Sequence, residues 1–342
     1  MNDISKKIFF AGDFIGETGP GVANRILRSG FKGRNDIWYS DSQGKILRVL
    51  EMITKIAFSE NICFCSFSKI NEIGIKIAKL LKKKTFYIMH GYVKYENRIN
   101  CIENNNYVLE EYILRNINKV FCVSQKFMDF MKEAEPEYKE KFDFNYNAID
   151  HSIISEIVHM NQAVKSKNRI VSVGGGMRRK NNLSICRAID ILNREKALNL
   201  EYIVIGQPHN DKEEICRYSF VTYYDLLPRH KVLEIFASSY LYIQNSSFET
   251  FGLAVIEAFA AGCNLLVSDN VGALSLFNTR NDNDVIFDTN DIDEIATKLY
   301  NILLNSNAER LRSGFDINQL DPKVCASSLM TKIMDYQSTI NQ

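Results

Sequence analysis

Two carboxylates frame the segment SSFETFGLAVIEAFAAGCNLL, residues 246–266. From Gly252 to Ala261 every residue except Glu257 is glycine or apolar, and Glu249 stands eight positions before Glu257, where a loop turns into a helix. A carboxylate on a helix surface suited to burial is costly unless donors meet it, and the hydroxyls of a bound sugar would serve. The free N–H groups at the helix start, around Gly252 and Leu253, would face the same pocket. The plainer alternative is that Glu249 complements the helix dipole while Glu257 pairs with a neighbouring Arg or Lys.

A second candidate is IVSVGGGMRRKNNLSI, in which a strand ends in three glycines and Arg178, Arg179 and Lys180 precede a helix. Cationic side chains beside a glycine turn and a helix N-terminus make an anion site by charge and by dipole, although a solvated basic loop would read the same. No GKS or GKT follows, which disfavours a P-loop nucleotide triphosphatase. The first strand runs into GDFIGETGPGVANRIL, where Gly16, Gly19 and Gly21 let the backbone approach an anion or simply make a tight turn. TFYIMHG puts His90 at the carboxyl end of a strand, where residues of an open α/β sheet face a ligand. His151, His159, His209 and His230 lack such a setting and read as surface or structural.

These residues need a scaffold of strand ends. KKIFFAG, NICFCSF, TFYIMHG and KVFCVS read as strands, alternating with the helical VANRILRSG, KILRVLEMITKIAF, EIGIKIAKLLKKK and QKFMDFMKEA. A second series follows, with strands RIVSVGG, LEYIVIG, YLYIQN and CNLLVSD and helices NLSICRAIDILNRE, HKVLEIFASS and GLAVIEAFAA. Strands without polar alternation suit parallel sheets covered on both faces. The expectation is two doubly wound α/β domains, residues 1–160 and 161–320, with a ligand cleft between them. A C-terminal helix over 321–342 would pack back on the first domain.

Composition agrees with a two-domain globular chain: 342 residues, 46% hydrophobic and 24% charged, with a net charge of +1 that predicts no nucleic-acid partner. Residues 1–150 hold 23 basic and 19 acidic residues, leaving 19 and 22 in the remainder. The first half is therefore about +4 and the second about −3. No apolar run approaches the roughly 18–20 residues of a spanning helix. MNDISKKIFFAGDF reads as a first strand rather than a signal peptide. The eight cysteines are scattered without CxxC or paired His/Cys spacing, so reduced thiols and a cytoplasmic location are expected, with no metal site.

Taken together, these segments resemble the retaining glycosyltransferases of the GT-B fold, specifically glycosyltransferase family 4 (group 1). Glu-x7-Glu followed by A-x-A-x-G is that family's signature, matched by Glu249, Glu257 and EAFAAG. VGGGMRRKN is similar to its phosphate loop V-G-R-x-x-x-K-G, TGPG to its first glycine loop, and VFCVSQ with NAID to its linker region, Ala148 replacing a glycine. The likeness extends from about residue 7 to the C-terminus.

The resemblance implies a nucleotide-sugar co-substrate, by default a UDP-sugar, and no cofactor or metal. Lys180, with Arg178 or Arg179, would neutralise the leaving diphosphate, because Gly175 occupies the family's arginine position. Glu257 would hold the ribose hydroxyls, Glu249 the transferred sugar, and the backbone at Gly19, Phe251, Gly252 and Leu253 the phosphates. His90 would lie beside the reacting carbon. The base would meet the loops after Gly206 and around Tyr223 and Tyr224. Leu276 stands where the family usually has a glutamate. The DND at 282–284 falls in a polar loop rather than a DxD metal motif.

EIGIKIAKLLKKK carries Lys76, Lys79, Lys82, Lys83 and Lys84 beside an apolar face, so it suits either an anionic membrane or an ordinary helix end. With an acceptor that is an oligosaccharide or lipid-linked intermediate of surface polysaccharide, the expected location is cytoplasmic and peripheral to the inner face of the membrane. Two rival functions share the architecture. A sugar-nucleotide epimerase would consume donor without acceptor, and a silent binding subunit would bind nucleotide without turnover.

Overall fold

A computed structural model describes residues 7–16, 18–42, 44–150 and 165–340. Two compact units are present: Met1–Asn97 with Glu103–Asp150 and Ile317–Gln342, and Arg98–Ile102 with His151–Asp316. The domain boundary expected at 160/161 lies outside the described residues.

The first unit holds a parallel sheet ordered β2-β1-β3-β4-β5-β6. Its strands are β1 (Ile8–Ala11), β2 (Ile37–Tyr39), β3 (Asn61–Phe64), β4 (Lys84–Met89), β5 (Lys119–Cys122) and β6 (Phe142–Phe144). The helices between them are α1 (Gly19–Gly30), α2 (Lys45–Ala57), α3 (Ile70–Leu80), α4 (Val93–Ile99), α5 (Asn106–Asn116) and α6 (Gln125–Ala134). Every residue of β1 and β3 is buried, as strands covered by helices on both faces must be.

The second unit repeats the plan in the order β12-β11-β10-β7-β8-β9, again all parallel. Its elements run β7 (Ser166–Val173), α7 (Asn182–Lys196), β8 (Glu201–Ile205), α8 (Lys212–Ile215), β9 (Val221–Tyr224), α9 (Arg229–Ser238) and β10 (Ser239–Gln244). They continue through α10 (Leu253–Ala260), β11 (Asn264–Ser268), β12 (Val285–Ile286), α11 (Ile292–Leu304) and α12 (Ala308–Ser313). The expected α/β class, two doubly wound parallel sheets, is what the chain forms.

The last helix, α13 (Pro322–Ile340), belongs to the first unit and packs along α1. Lys332 donates to Asp143 at 2.9 Å, and Tyr336 meets the edge of Phe86 with ring centroids 5.6 Å apart. Among the described residues no helix is long and apolar enough to cross a membrane.

Both sheets have a reversal of strand order, β1 beside β3 in the first and β7 beside β10 in the second. At such a switch point the connections leave in opposite directions and open a crevice at the carboxyl ends. Lys180 and Glu249 both lie on connections that leave the β7/β10 switch. His90 follows β4, beside the β1/β3 switch.

Candidate functional site

In the second unit, the loop after β7 and the loop after β10 bring three charges into contact. Lys180 donates to Glu249 Oε2, and Arg179 Nη1 donates to the same oxygen at 3.0 Å and to the Phe248 carbonyl at 2.9 Å. Gln244 Nε2 approaches it at 3.3 Å. Burial pushes the Glu249 carboxyl up, but Lys180 and Arg179 outweigh it and hold the group at about 2. Glu249 is therefore ionised near pH 7, and its Oε2 draws the two cations together.

The glycines explain how the loops come so close. Gly175 has φ +59°, and a Cβ there would stand 2.7 Å from the Gly206 carbonyl carbon and from Tyr223 Oη. No arginine side chain fits at 175 on this backbone, so the second cation beside Lys180 comes from Arg179 instead. Gly206 N–H donates to the Tyr224 carbonyl at 2.9 Å, and Tyr223 Oη to the Gln207 carbonyl at 3.0 Å, which places both tyrosines beside this turn. Arg178 points elsewhere, 3.2 Å from Cys101 Sγ and 3.9 Å from Asp211 Oδ1.

Glu257 lies on α10 with a mostly buried side chain. Its Oε1 receives a hydrogen bond from Arg229 Nη2 at the start of α9. Burial raises its pKa and Arg229 offsets part of that rise. The ion pair gives the carboxylate a partner, and the pairing alternative for Glu257 is realised within the protein itself. Sequence reasoning missed Arg229 because its only local signal, PRHK, marks a helix start and says nothing of which carboxylate it meets. Gly252, at φ +95°, precedes α10, Leu253 begins it, and Phe251 is buried.

In the first unit His90 Nε2 lies 2.9 Å from Asn24 Oδ1, and burial holds its pKa down at about 4. The imidazole is neutral near pH 7. Asn24 is buried on α1 and donates to the carbonyls of Cys65 at 2.7 Å and Asp13 at 3.1 Å, tying the ends of β1 and β3 to His90. The glycine loop after β1 is organised by Asp13, whose Oδ1 accepts from Ile15 N–H at 3.0 Å and Gly16 N–H at 2.8 Å. Gly19 is the first residue of α1, exposed, with open space where a Cβ would be. Neither Asn24 nor Asp13 was singled out from sequence, since an Asn within a helix and an Asp in a loop are common.

The lysines that suited either a membrane or an ordinary helix end divide in the structure. Lys76 pairs with Glu72 at 2.6 Å and Lys79 donates to Asn116 at 2.8 Å, whereas Lys82, Lys83 and Lys84 lie beyond the end of α3. Asp284 of the DND run is buried and held by Arg310 and Asn307 at 2.8 and 2.7 Å. It shapes a turn through a capping box with Asn281. The cysteines of the described residues are free, and those at 63, 65, 122, 186, 263 and 325 are buried.

Residues 154–314 match the family model described as Glycosyl transferases group 1. Lys180, Glu249 and Glu257 all fall within the matched span. No curated protein matches the sequence. Among solved structures, Anabaena HepE in complex with UDP and glucose superposes with a TM-score of 0.67 at 14% identity, over 95% of this chain and 100% of that one. The α,α-trehalose-phosphate synthase (UDP-forming) of Burkholderia xenovorans, in complex with glucose-6-phosphate, gives 0.66 at 11% identity over 97% and 100%. The E. coli trehalose-6-phosphate structure bound with UDP-2-fluoro glucose gives 0.65 at 10% over 96% and 98%. The fold is GT-B.

Proposed function

We propose that the protein is a retaining glycosyltransferase that moves a sugar from a nucleotide-diphosphate donor, a UDP-sugar, to a hydroxyl of a glycan or lipid-linked acceptor. The observation that carries this reading is the Lys180–Glu249–Arg179 cluster at the β7/β10 switch point, inside the matched glycosyltransferase domain. The UDP bound by HepE and the UDP-2-fluoro glucose of the E. coli structure support uracil as the base.

In this mechanism the bond between the anomeric carbon and the diphosphate oxygen breaks as a bond to the acceptor oxygen forms on the same face. Lys180 and Arg179 offset the charge that develops on the departing diphosphate, so the reading assigns no metal. The acceptor proton passes to a diphosphate oxygen. Glu249, ionised throughout, fixes the two cations and accepts hydrogen bonds from the sugar hydroxyls. Glu257 takes the ribose hydroxyls on the oxygen that Arg229 leaves open. Neutral His90 would place no repelling charge near a developing positive charge at the anomeric carbon. Surface polysaccharide assembly at the cytoplasmic face of a membrane would suit a lipid-linked acceptor.

Thermal-shift titration with UDP, GDP, ADP and their sugar conjugates tests the donor. A shift for UDP that weakens in Glu257→Ala is expected, and no shift with any nucleotide would overturn the reading. NMR of the glycosidic product tests stereochemistry, with retention expected. Consumption of donor without any acceptor would point to epimerisation instead.

A further inference from the structure

The exposed large apolar side chains of the described residues concentrate on α2. Ile46, Leu47, Leu50 and Ile53 are 78%, 61%, 57% and 42% exposed, and Phe58, just after the helix, is 72% exposed. Their spacing places them on one helical face with Thr54 and Ala57. No charged residue lies on that face. Arg48 turns to the Gly12 carbonyl at 2.8 Å, while Glu51 is engaged with the Asp41 and Ser42 N–H groups and with Lys55. Met52 and Ile56, on the opposite side, are buried in the core. The helix is thus amphipathic twice over, with one apolar side in the protein and another in solvent. Soluble proteins rarely leave so continuous an apolar strip without a partner.

The surroundings of the strip select the partner. Helix α3 packs on α2 so closely that a Cβ on Gly74 would sit 2.5 Å from the Met52 sulfur. The lysine-rich end of α3 folds back onto the end of α2, where Lys83 Nζ donates to the Ala57 carbonyl at 3.1 Å, next to Phe58. Leu80 and Leu81 are exposed beside these lysines. Residues 45–84 contain nine basic and three acidic residues, a net +6, in a chain whose total is +1. The rest of the chain is therefore at −5. Apolar surface and positive charge are concentrated on one helix pair.

We propose that the outer face of α2, with the Lys82–Lys83 end of α3, docks on an anionic lipid bilayer, the apolar side chains entering the acyl boundary and the lysines meeting the headgroups. A second copy of the chain would bring another +6 against the first, whereas an anionic bilayer accepts both features. The inference rests on the lipid-linked acceptor reading only for its purpose. It moves the contact from the Lys76–Lys79 face of α3 to the outer face of α2 and the adjoining end of α3, where the exposed apolar side chains lie.

Flotation of the full chain with phosphatidylcholine vesicles, with and without phosphatidylglycerol, tests it. Binding to the anionic vesicles is expected to be roughly ten-fold or more above binding to neutral ones and to fall with salt. The double variant Leu47→Gln with Leu50→Gln should lose roughly ten-fold or more of that binding. Its melting temperature and UDP thermal shift should be unchanged, because both side chains point outward. Lys82→Gln with Lys83→Gln should weaken anionic binding alone. Absence of wild-type binding to anionic vesicles, or wild-type binding by the Leu47/Leu50 variant, would overturn the proposal. So would a dimer on sizing that this variant dissolves while no vesicle binding is seen. Loss of the UDP shift with vesicle binding intact would instead strike the donor reading and leave this one standing.

Discussion

The glycine loops that leave β1 and β7 use the same backbone device with opposite charge. The loop after β1 already holds an anion: the Asp13 carboxylate accepts the Ile15 and Gly16 N–H groups, and those hydrogen bonds, the Gly16 one first, depress its pKa. The loop after β7 instead presents Arg179 and Lys180, drawn together by Glu249. A glycine turn at a strand end does not by itself make a phosphate site. What differs is the charge gathered at the turn: after β1 one carboxylate sits on backbone N–H groups, and after β7 two cations converge on a carboxylate brought from another loop. On that comparison the second unit gathers two cations about Glu249, whereas the first sets a neutral histidine against Asn24.

The sharpest break would come from Lys180→Ala. Turnover should fall by roughly 10²–10³, the cost of removing one preorganised electrostatic group, with UDP affinity changing far less. Single-turnover kinetics separates the two, and unchanged turnover would end the comparison in its present form. Gly175→Arg comes next. It places the family's arginine where φ is +59° and neighbouring backbone fills the space, so a loss of about 1–3 kcal/mol in denaturant melts is expected, with no gain in activity.

Glu257→Ala should weaken UDP binding by roughly ten-fold, about the worth of one hydrogen bond to a charged group, while Glu249→Gln should mainly impair transfer. Calorimetric titration and rate measurement on the two variants check that division.

The histidine gives a pH signature. Its pKa is lowered from the usual 6.5 to about 4, so the folded state resists a proton that the unfolded chain takes up. Its contribution to stability is complete above pH 6.5 and is lost as the pH falls toward 4, with a slope approaching about 1.4 kcal/mol per pH unit. Melts of wild type against His90→Gln across that window should differ in slope, and parallel curves would refute the assignment. The smallest expected effect is that of Asp13→Ala. Freeing the Ile15 and Gly16 N–H groups should cost about 1 kcal/mol and leave UDP affinity unchanged.

The inner strands were legible because parallel strands covered on both faces are continuous apolar runs. IFFA, NICF, EYIVI and NLLVS could be read directly. The strands that escaped notice, β2, β6, β9 and β12, are the four sheet edges. They are three, three, four and two residues long, and only partly buried except for β12, so local composition marks them weakly. Helix α11 was also missed, although Ile295, Ala296, Leu299 and Ile302 give it a buried face.

By itself the sequence determined the α/β class, the apolar strands along the chain, and the segments 16–21, 85–91, 174–180 and 249–257, on which most of the candidate residues stand. Those follow from periodicity and from residue types at strand ends, which are local properties. Only the tertiary structure decided which cation meets which carboxylate. Arg179 rather than Arg178 turns to Glu249, Arg229 reaches Glu257 from another helix, and α2 keeps a second apolar face outside. Such pairings depend on how loops from non-adjacent strands converge at a switch point, and burial then multiplies the strength of each charge that is brought there.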